Sequence, residues 1–132
     1  MAVAKKVKEI FITTQNKVGM LAEISSVIST AGVNIAAICA YGEGDKANFM
    51  ILTSDNLKAA GALKVKGHEV KDNEIVEVQL ENKVGALEEM AKKLTEADID
   101  INYVYGTVNK AGVPATLVFS SNNDDKAIEV LK

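Results

Sequence analysis

Two six-residue segments of the chain repeat the same residue types at the same spacing: positions 16–21 read NKVGML and positions 82–87 read NKVGAL. The asparagine of each segment offers both an amide donor and a carbonyl acceptor. The glycine has no Cβ, so a small ligand can approach its backbone closely. An asparagine could then meet an ammonium group while backbone N–H groups hold a carboxylate. These residue types predict a binding site for a molecule with both groups, as a free amino acid has.

Each segment lies between a predicted strand and a predicted helix. Residues 75–81 alternate between apolar and polar, as a half-buried strand does, and apolar residues recur at helical spacing after the second segment. The first N–H groups of a helix lack intrahelical partners and lie at the positive end of the helix dipole, so they favour an anion. The two segments therefore predict two anion-binding helix starts.

The duplication extends beyond these segments. The shift of 66 positions that relates them also places AGVNI at 31–35 over ADIDI at 97–101. With the same shift, NFMILTS at 48–54 lies over PATLVFS at 114–120, so we expect an ungapped repeat. Half of the chain is then one unit and the other half is its copy.

The two predicted units, residues 1–72 and 73–132, have the same order of elements. Each contains a strand, a helix, two strands joined by a turn-rich loop at 42–46 or 109–112, and a second helix; these elements lie at 8–14, 18–31, 34–41, 48–54 and 56–65, and again at 75–81, 84–97, 100–108, 114–120 and 124–131. A short strand at 68–71 completes the order β-α-β-β-α-β in the first unit.

This order predicts an α+β fold with two tandem ferredoxin-like units, each an antiparallel sheet with both helices on one face. In the second unit no residues remain for a last strand. Either another segment fills that position or the sequence is truncated.

The bulk composition excludes several classes of function. With 132 residues, 48% hydrophobic and 5% aromatic, the chain can build two small, light cores, for which a homodimer would be favourable. A net charge of −3 does not build the positive field that nucleic acids need, and the strands around Phe11 and Phe49 lack the basic residues of an RNA-binding module. No apolar run is long enough to span a membrane, and the single Cys39 fits a reducing compartment, so we expect a cytoplasmic protein.

Few residues of the sequence could perform catalysis. A nucleophile and base would need Ser or Cys beside His, and His68 is the only histidine. Cys39 lies between apolar neighbours in a strand pattern and is predicted to be a buried small hydrophobe. A lone histidine makes a poor metal site, and the sequence has no phosphate-cradling or dinucleotide-binding loop. We therefore predict no catalytic residue, no metal, no cofactor and no enzymatic activity.

The duplicated pattern resembles a known family. Asn/Asp-x-x-Gly-x-Leu at the start of a helix, followed by a strand of the type small-Val-Asn-Ile, is similar to the ACT domain of regulators of amino-acid metabolism. The pair resembles the stand-alone tandem ACT proteins of bacteria, as do INYVYG at 101–106 and DKAIEVLK at 125–132. The resemblance covers nearly the whole chain, apart from the first residues and the last strand.

The resemblance implies that an amino acid binds at an interface between two ACT units. The strand–helix loop of one unit and the start of the second strand of a neighbour would supply the contacts. Carried over, the site residues are Asn16, Val18, Gly19, Met20, Leu21, Asn34 and Ile35 in the first unit and Asn82, Val84, Gly85, Ala86, Leu87, Asp100 and Ile101 in the second.

The carried-over residues also differ from the family pattern and from each other. The family often has proline before the glycine, where this chain has Val18 and Val84, so the fixed φ of proline at the helix start is lost. The change from Asn34 to Asp100 predicts two non-equivalent sites, since Asp100 would favour an ammonium group or reject a second carboxylate.

Structural explanations remain open beside the functional ones. Asn16 and Asn82 could be helix caps, and the glycines could permit close packing of helix on sheet. Tyr103 and Tyr105 are predicted to share a strand face with Ile101 and to fill a core or an interface. For the whole protein, the alternative to an amino-acid sensor is a ligand-free regulatory subunit that docks on a biosynthetic enzyme. The two halves could also pair within one chain rather than in a homodimer.

Overall fold

The computed structural model describes residues 3–107, 110 and 112–132. Val108, which ends the predicted second strand of the second unit, and Asn109 and Ala111 of the predicted loop lie outside the described residues. The chain divides into two compact units. One is Lys8–Asn73, and the other is Glu74–Lys132 together with the N-terminal residues up to Val7. The division of the repeat into residues 1–72 and 73–132 stays a prediction.

The α+β fold with two ferredoxin-like units is confirmed. The elements are β1 (Val3–Gln15), α1 (Met20–Thr30), β2 (Ile35–Glu43), β3 (Lys46–Thr53), α2 (Asn56–Val65), β4 (Glu69–Leu80), α3 (Ala86–Glu96), β5 (Ile101–Thr107), β6 (Ala115–Ser121) and α4 (Asp124–Leu131). Helices α2 and α4 begin and end at the predicted residues. Among the helices of the described residues, none is both long and apolar enough to cross a membrane.

In the first unit the strands lie in the order β2-β3-β1-β4, and β3 pairs antiparallel with both β1 and β2. The core lies between this sheet and the two helices. Helix α1 buries every fourth residue, because Met20, Ile24 and Ile28 fall on one face. These side chains pack against Ile10 and Ile51 of the sheet, which are fully buried.

In the second unit β4 pairs with β6, and β6 pairs with β5, while β1 lies on the other side of β4. Among the described residues of this unit no strand follows α4, and the N-terminal residues of β1 lie beside β4. Ala4 packs against the core of this unit. Lys5 lies 3.3 Å from Glu77, and Lys6 lies 2.6 Å from Asp125. Another segment of the chain therefore fills the position that the sequence left open.

The ion pair of Lys6 is exposed, so its role is local. The hydrogen bond to Asp125 is the main cause that raises the pKa of Lys6 above its ordinary value, and Glu74 adds to the effect. Exposed pairs of this kind contribute little to stability. The place of the segment beside β4 and the packing of Ala4, rather than its exposed charges, hold it in the second unit.

Strands β1 and β4 are longer than predicted. The predicted strands at 68–71 and 75–81 form one strand, β4, and β1 begins at Val3 instead of Lys8. Predicting separate strands was wrong because residues 69–80 contain no glycine or proline that would interrupt the extended backbone.

The prediction that the repeat has no gap was also wrong at the third strand of each unit. Ile10 pairs with Ile51, and Val76 pairs with Phe119, so the shift is 66 positions in the first strand but 68 in the third. The third strand of the second unit therefore lies two residues further along the chain than an ungapped repeat would place it. NFMILTS therefore does not lie over PATLVFS residue by residue.

A β-bulge near the start of β5 changes which residues share a face. Ile101 pairs with Ser121 and Tyr103 with Ser120, so the register shifts between them. Ile101 packs against the core, whereas Tyr105 pairs with Val118, next to the core residue Phe119. Placing Ile101 on the tyrosine face was wrong, because a bulge inserts one residue and reverses the alternation. Tyr103 and Tyr105 do share a face, with ring centroids 6.4 Å apart.

Removing the residues that precede Lys8 should selectively destabilise the second unit. Without that segment, the part of β4 from Glu74 to Leu80 loses its neighbour on one side and Ala4 leaves the core. Hydrogen exchange is expected to show loss of protection at Val76 and Val78, while Ile10 and Ile12 stay protected. The variant Lys6→Ala is the control and should leave both units protected. Equal loss of protection in both units would contradict the assignment of this strand.

Candidate functional site

Gly19 and Gly85 are the N-terminal caps of α1 and α3. Their φ angles are 90° and 86°, a left-handed conformation that glycine adopts without strain. A Cβ built on either glycine would meet nothing within 4 Å. The interpretation that these glycines permit close packing of helix on sheet is therefore wrong. Glycine is required at both positions for its backbone conformation.

The loop before α1 leaves two backbone donors without an acceptor. The N–H of Met20 donates to the carbonyl of Lys17 at 3.3 Å, and the N–H of Glu23 makes the first helical bond at 3.0 Å. Between them, the N–H groups of Leu21 and Ala22 have no acceptor among the described residues, and no side chain caps the helix. These two donors lie at the positive end of the helix.

The loop before α3 repeats this arrangement. Ala86 donates to Lys83 at 3.2 Å, and Glu89 makes the first helical bond at 3.0 Å, which leaves Leu87 and Glu88 without acceptors in the described structure. The charge differs, however. The first turn of α3 carries two acidic side chains, whereas that of α1 carries one. An anion is therefore less favoured at the second loop.

Apolar side chains project from both loops into solvent. Val18 and Val84 are each 103% exposed, and Leu21 and Leu87 are 55% and 56% exposed. Met20 is buried in the core, while its counterpart Ala86 is half-buried. The exposed valine and leucine stand beside the unpaired amides, so a ligand or a neighbouring surface could cover them together.

Asn16 joins the first loop to the turn between β2 and β3. Its backbone N–H donates to Asp45 at 2.9 Å, and its Nδ2 donates to the carbonyl of Gly44 at 3.2 Å. A Cβ on Gly42 would come within 2.6 Å of that Nδ2. Asn16 is therefore not a helix cap, and neither is Asn82, because the caps are the two glycines. The side-chain carbonyl of Asn16 is left to accept a bond from a ligand.

The residues at the starts of the second strands are held by matching bonds. Asn34 donates its N–H to Ser54 Oγ at 3.0 Å, and Asp100 donates its N–H to Asn122 Oδ1 at 3.1 Å. Both side chains are exposed. Ile35 and Ile101, in contrast, are partly buried and pack against their own cores.

Within one unit, the loop and the strand start lie at opposite ends of a helix. Helix α1 has 11 residues, which corresponds to a length of about 16 Å. One unit therefore does not bring Asn16 and Asn34 to the same ligand. A site that uses both kinds of residue needs a contribution from a neighbouring unit, as the family resemblance implies.

A cavity of about 290 Å³ lies beside the first glycine loop. A cavity of about 370 Å³ in the same unit lies away from this loop, at α2. The cavity beside the loop is lined by Lys17, Met20, Glu23 and His68, among others. The His68 side chain is 11% exposed, and its Nε2 lies 3.0 Å from Glu23 Oε2, although without hydrogen-bond geometry. Sequence reasoning missed this pair because the two residues are far apart in the chain and no local pattern joins them.

The second unit has a smaller cavity at the equivalent position. It measures about 120 Å³ and is lined by Lys83, Ala86 and Glu89, the counterparts of Lys17, Met20 and Glu23. Leu131 of α4 lines it as well. The two loops therefore share their backbone geometry but differ in the space beside them.

The surroundings of Cys39 disfavour its reactive form. Cys39 is partly buried, and burial, followed by the nearby charge of Glu9, raises the pKa of its thiol. A raised pKa disfavours the thiolate, which is the reactive form. Among the described residues, no group of three or more His, Cys, Asp or Glu could hold a metal ion.

Two glycine-to-alanine changes should have opposite effects on stability. Gly19→Ala forces a left-handed conformation on a residue with a Cβ and should lower the free energy of unfolding by about 1 kcal/mol. Gly61→Ala lies inside α2, where a Cβ meets nothing within 4 Å, and should raise it by about 0.5–1 kcal/mol. Urea denaturation measures both. A neutral or stabilising Gly19→Ala would show that the left-handed glycine is not required.

Comparison with known proteins gives one family and several solved structures. A family model described as "ACT domain pair" matches residues 5–132. The crystal structure of protein BT0572 from Bacteroides thetaiotaomicron superimposes with a TM-score of 0.89 at 31% identity, and the match covers 97% of this chain and 88% of that one. No protein of curated function matches.

Two further structures share the fold at low identity. The regulatory subunit of aspartate kinase from Thermus thermophilus, in a ligand-free form, has a TM-score of 0.68 at 13% identity, with 98% of this chain and 93% of that one covered. The aspartokinase alpha and beta subunits have a TM-score of 0.66 at 14% identity, with 97% and 93% covered. At these identities the likeness shows the fold alone.

Proposed function

The chain belongs to the ACT domain pair family, and from this premise we propose that it is a non-catalytic regulatory protein that binds a free amino acid at its glycine loops. In the first unit the ligand would contact Asn16, Val18, Gly19, Met20 and Leu21, and in the second Asn82, Val84, Gly85, Ala86 and Leu87. The starts of the second strands of a neighbouring unit, Asn34 with Ile35 and Asp100 with Ile101, would complete the sites. A homodimer in the cytoplasm is the assembly that we propose.

The main support for this proposal is the pair of unpaired N–H donors that follows each left-handed glycine in the chain. An α-carboxylate has two oxygens, and each can accept from one donor. The side-chain carbonyl of Asn16 supports a bond to the ammonium group. The exposed Val18 and Leu21 would then contact the apolar part of the ligand or the neighbouring unit.

We expect the first loop to bind more tightly than the second. The first turn of α3 contains Glu88 and Glu89, which repel a carboxylate, whereas that of α1 contains only Glu23. Asp100, in place of Asn34, adds a further negative charge to the strand start. The second site would therefore favour a ligand with an additional positive charge.

A separate protein would receive the signal. One structural relative is a regulatory subunit of aspartate kinase, which supports a metabolic enzyme as the regulated partner. A ligand that binds across units stabilises one arrangement of them over others, and this difference in affinity is what allosteric control requires.

Thermal unfolding in the presence of each of the twenty amino acids tests this function. At a hundred times its dissociation constant, a ligand should add about 2.7 kcal/mol to the free energy of unfolding. Gly19→Ala should weaken this stabilisation, because the altered cap displaces the N–H groups of Leu21 and Ala22. Gly112→Ala is the matched control, since Gly112 also has a positive φ, of 89°, and open space for a Cβ, but is not one of the proposed site residues.

Two results would contradict the proposal. If none of the amino acids stabilises the protein, the ligand class is wrong. If Gly112→Ala weakens the stabilisation as much as Gly19→Ala does, the loss reflects general strain and the loop is not the site.

A further inference from the structure

The outer surface of α2 carries an unusual row of residues. Leu57 and Val65 are 86% and 85% exposed, and Gly61 lies between them. A spacing of four residues places these three side-chain positions in one row along the helix. We call Leu57, Gly61 and Val65 the α2 row. The opposite face of the helix is the one that packs on the sheet, through Ala59 and Leu63.

Two grooves border the α2 row, one beside Leu57 and Gly61 and the other beside Val65. One, of about 370 Å³, includes Lys8, Lys64 and Val70 in its lining. The other, of about 430 Å³, lies between α1 and α2 and includes Val27 and Ala62. A ridge between two grooves is the surface shape into which the side chains of another helix pack.

The fold of the first unit does not require Gly61. Gly61 has no positive φ, and a Cβ there would meet nothing within 4 Å, yet glycine within a helix costs about 1 kcal/mol relative to alanine. Because Gly61 has no side chain, it leaves extra space only on the outer surface of α2. A helix that crosses the α2 row at Gly61 could therefore approach the backbone closely.

Helix α4 provides an internal comparison. It occupies the equivalent place in the second unit and buries Ala127 and Leu131, as α2 buries Ala59 and Leu63. At the positions that correspond to Leu57 and Gly61, however, α4 has the exposed Asp125 and Glu129. Charged residues in this row are thus compatible with the fold, so the fold does not require the α2 row to be apolar.

The charges around the α2 row define what it can bind. Four exposed lysines surround it, Lys8, Lys58, Lys64 and Lys66, and among the described residues none of them forms an ion pair. The nearby acids are Asp55, which caps α2, and Asp72. The patch is positive on a chain whose net charge is −3. A second copy of α2 would bring lysines against lysines, which is unfavourable.

We propose that the α2 row is a docking surface for an acidic amphipathic helix of a partner protein. The apolar face of that helix covers Leu57 and Val65, its backbone crosses at Gly61, and its acidic flanks meet the four lysines. This surface is separate from the glycine loops, so docking and amino-acid binding can succeed or fail independently.

Two synthetic helical peptides with the same leucine face test the docking surface, one flanked by glutamates and the other by lysines. Fluorescence anisotropy should show the glutamate peptide binding at least about tenfold more tightly than the lysine peptide. The preference should fall as salt is raised, because exposed charges are screened. Absence of binding by the glutamate peptide, or equal binding of both, would overturn the proposal.

The double variant Leu57→Asp with Gly61→Glu introduces the residues that α4 has at these positions. It should lower the affinity for the glutamate peptide by at least about tenfold. Circular dichroism melting checks that it folds, and Leu57→Ala alone is a milder second variant. Glu129→Gln on α4 is the matched control and should bind like the unaltered protein. Unchanged binding by the double variant, or sedimentation showing that the α2 row joins two copies of the chain, would contradict an acidic partner helix.

Discussion

The left-handed glycine between the first strand and first helix of each unit is the constraint on which the rest depends. It lies a few residues after the end of β1 or β4, and its φ near 90° turns the chain into the helix without a capping side chain. The N–H groups of the second and third residues after it consequently stay unpaired. They lie at the N-terminal end of the helix, where an anion is stabilised. The fold and the candidate site thus arise from one backbone conformation, and neither needs a reactive side chain.

Local patterns were sufficient to predict most of the fold. Both second helices begin at an Asx cap, Asp55 or Asn123, and their bounds match the prediction. The fourth strand of the second unit could not be predicted, because it is supplied by residues near Val3 that lie far from α4 in sequence. The bulge before Tyr103 was missed for a related reason, since it depends on pairing with β6 rather than on the sequence of β5.

The candidate site was predicted in part. The glycines and the unpaired amides are where the pattern NKVG places them. Val18 was predicted to begin the apolar stripe of the first helix, which was wrong, because it precedes α1 and is fully exposed. The proximity of His68 to Glu23 was not predictable, since it depends on how the end of α2 returns beside the start of α1. Duplication preserved the backbone of the loop and changed its surroundings, as the different cavities beside Met20 and Ala86 show.

Nuclear magnetic resonance of the ¹⁵N-labelled protein, titrated with an amino acid that stabilises it, tests the central claim most directly. The claim is that a carboxylate accepts hydrogen bonds from the bare amides at the start of α1. The backbone amide resonances of Leu21 and Ala22 should shift more than those of the helix interior, such as Ile24 and Ile28. If Leu21 and Ala22 keep their positions while resonances elsewhere move on saturation, the ligand is held by another part of the molecule and the account is wrong.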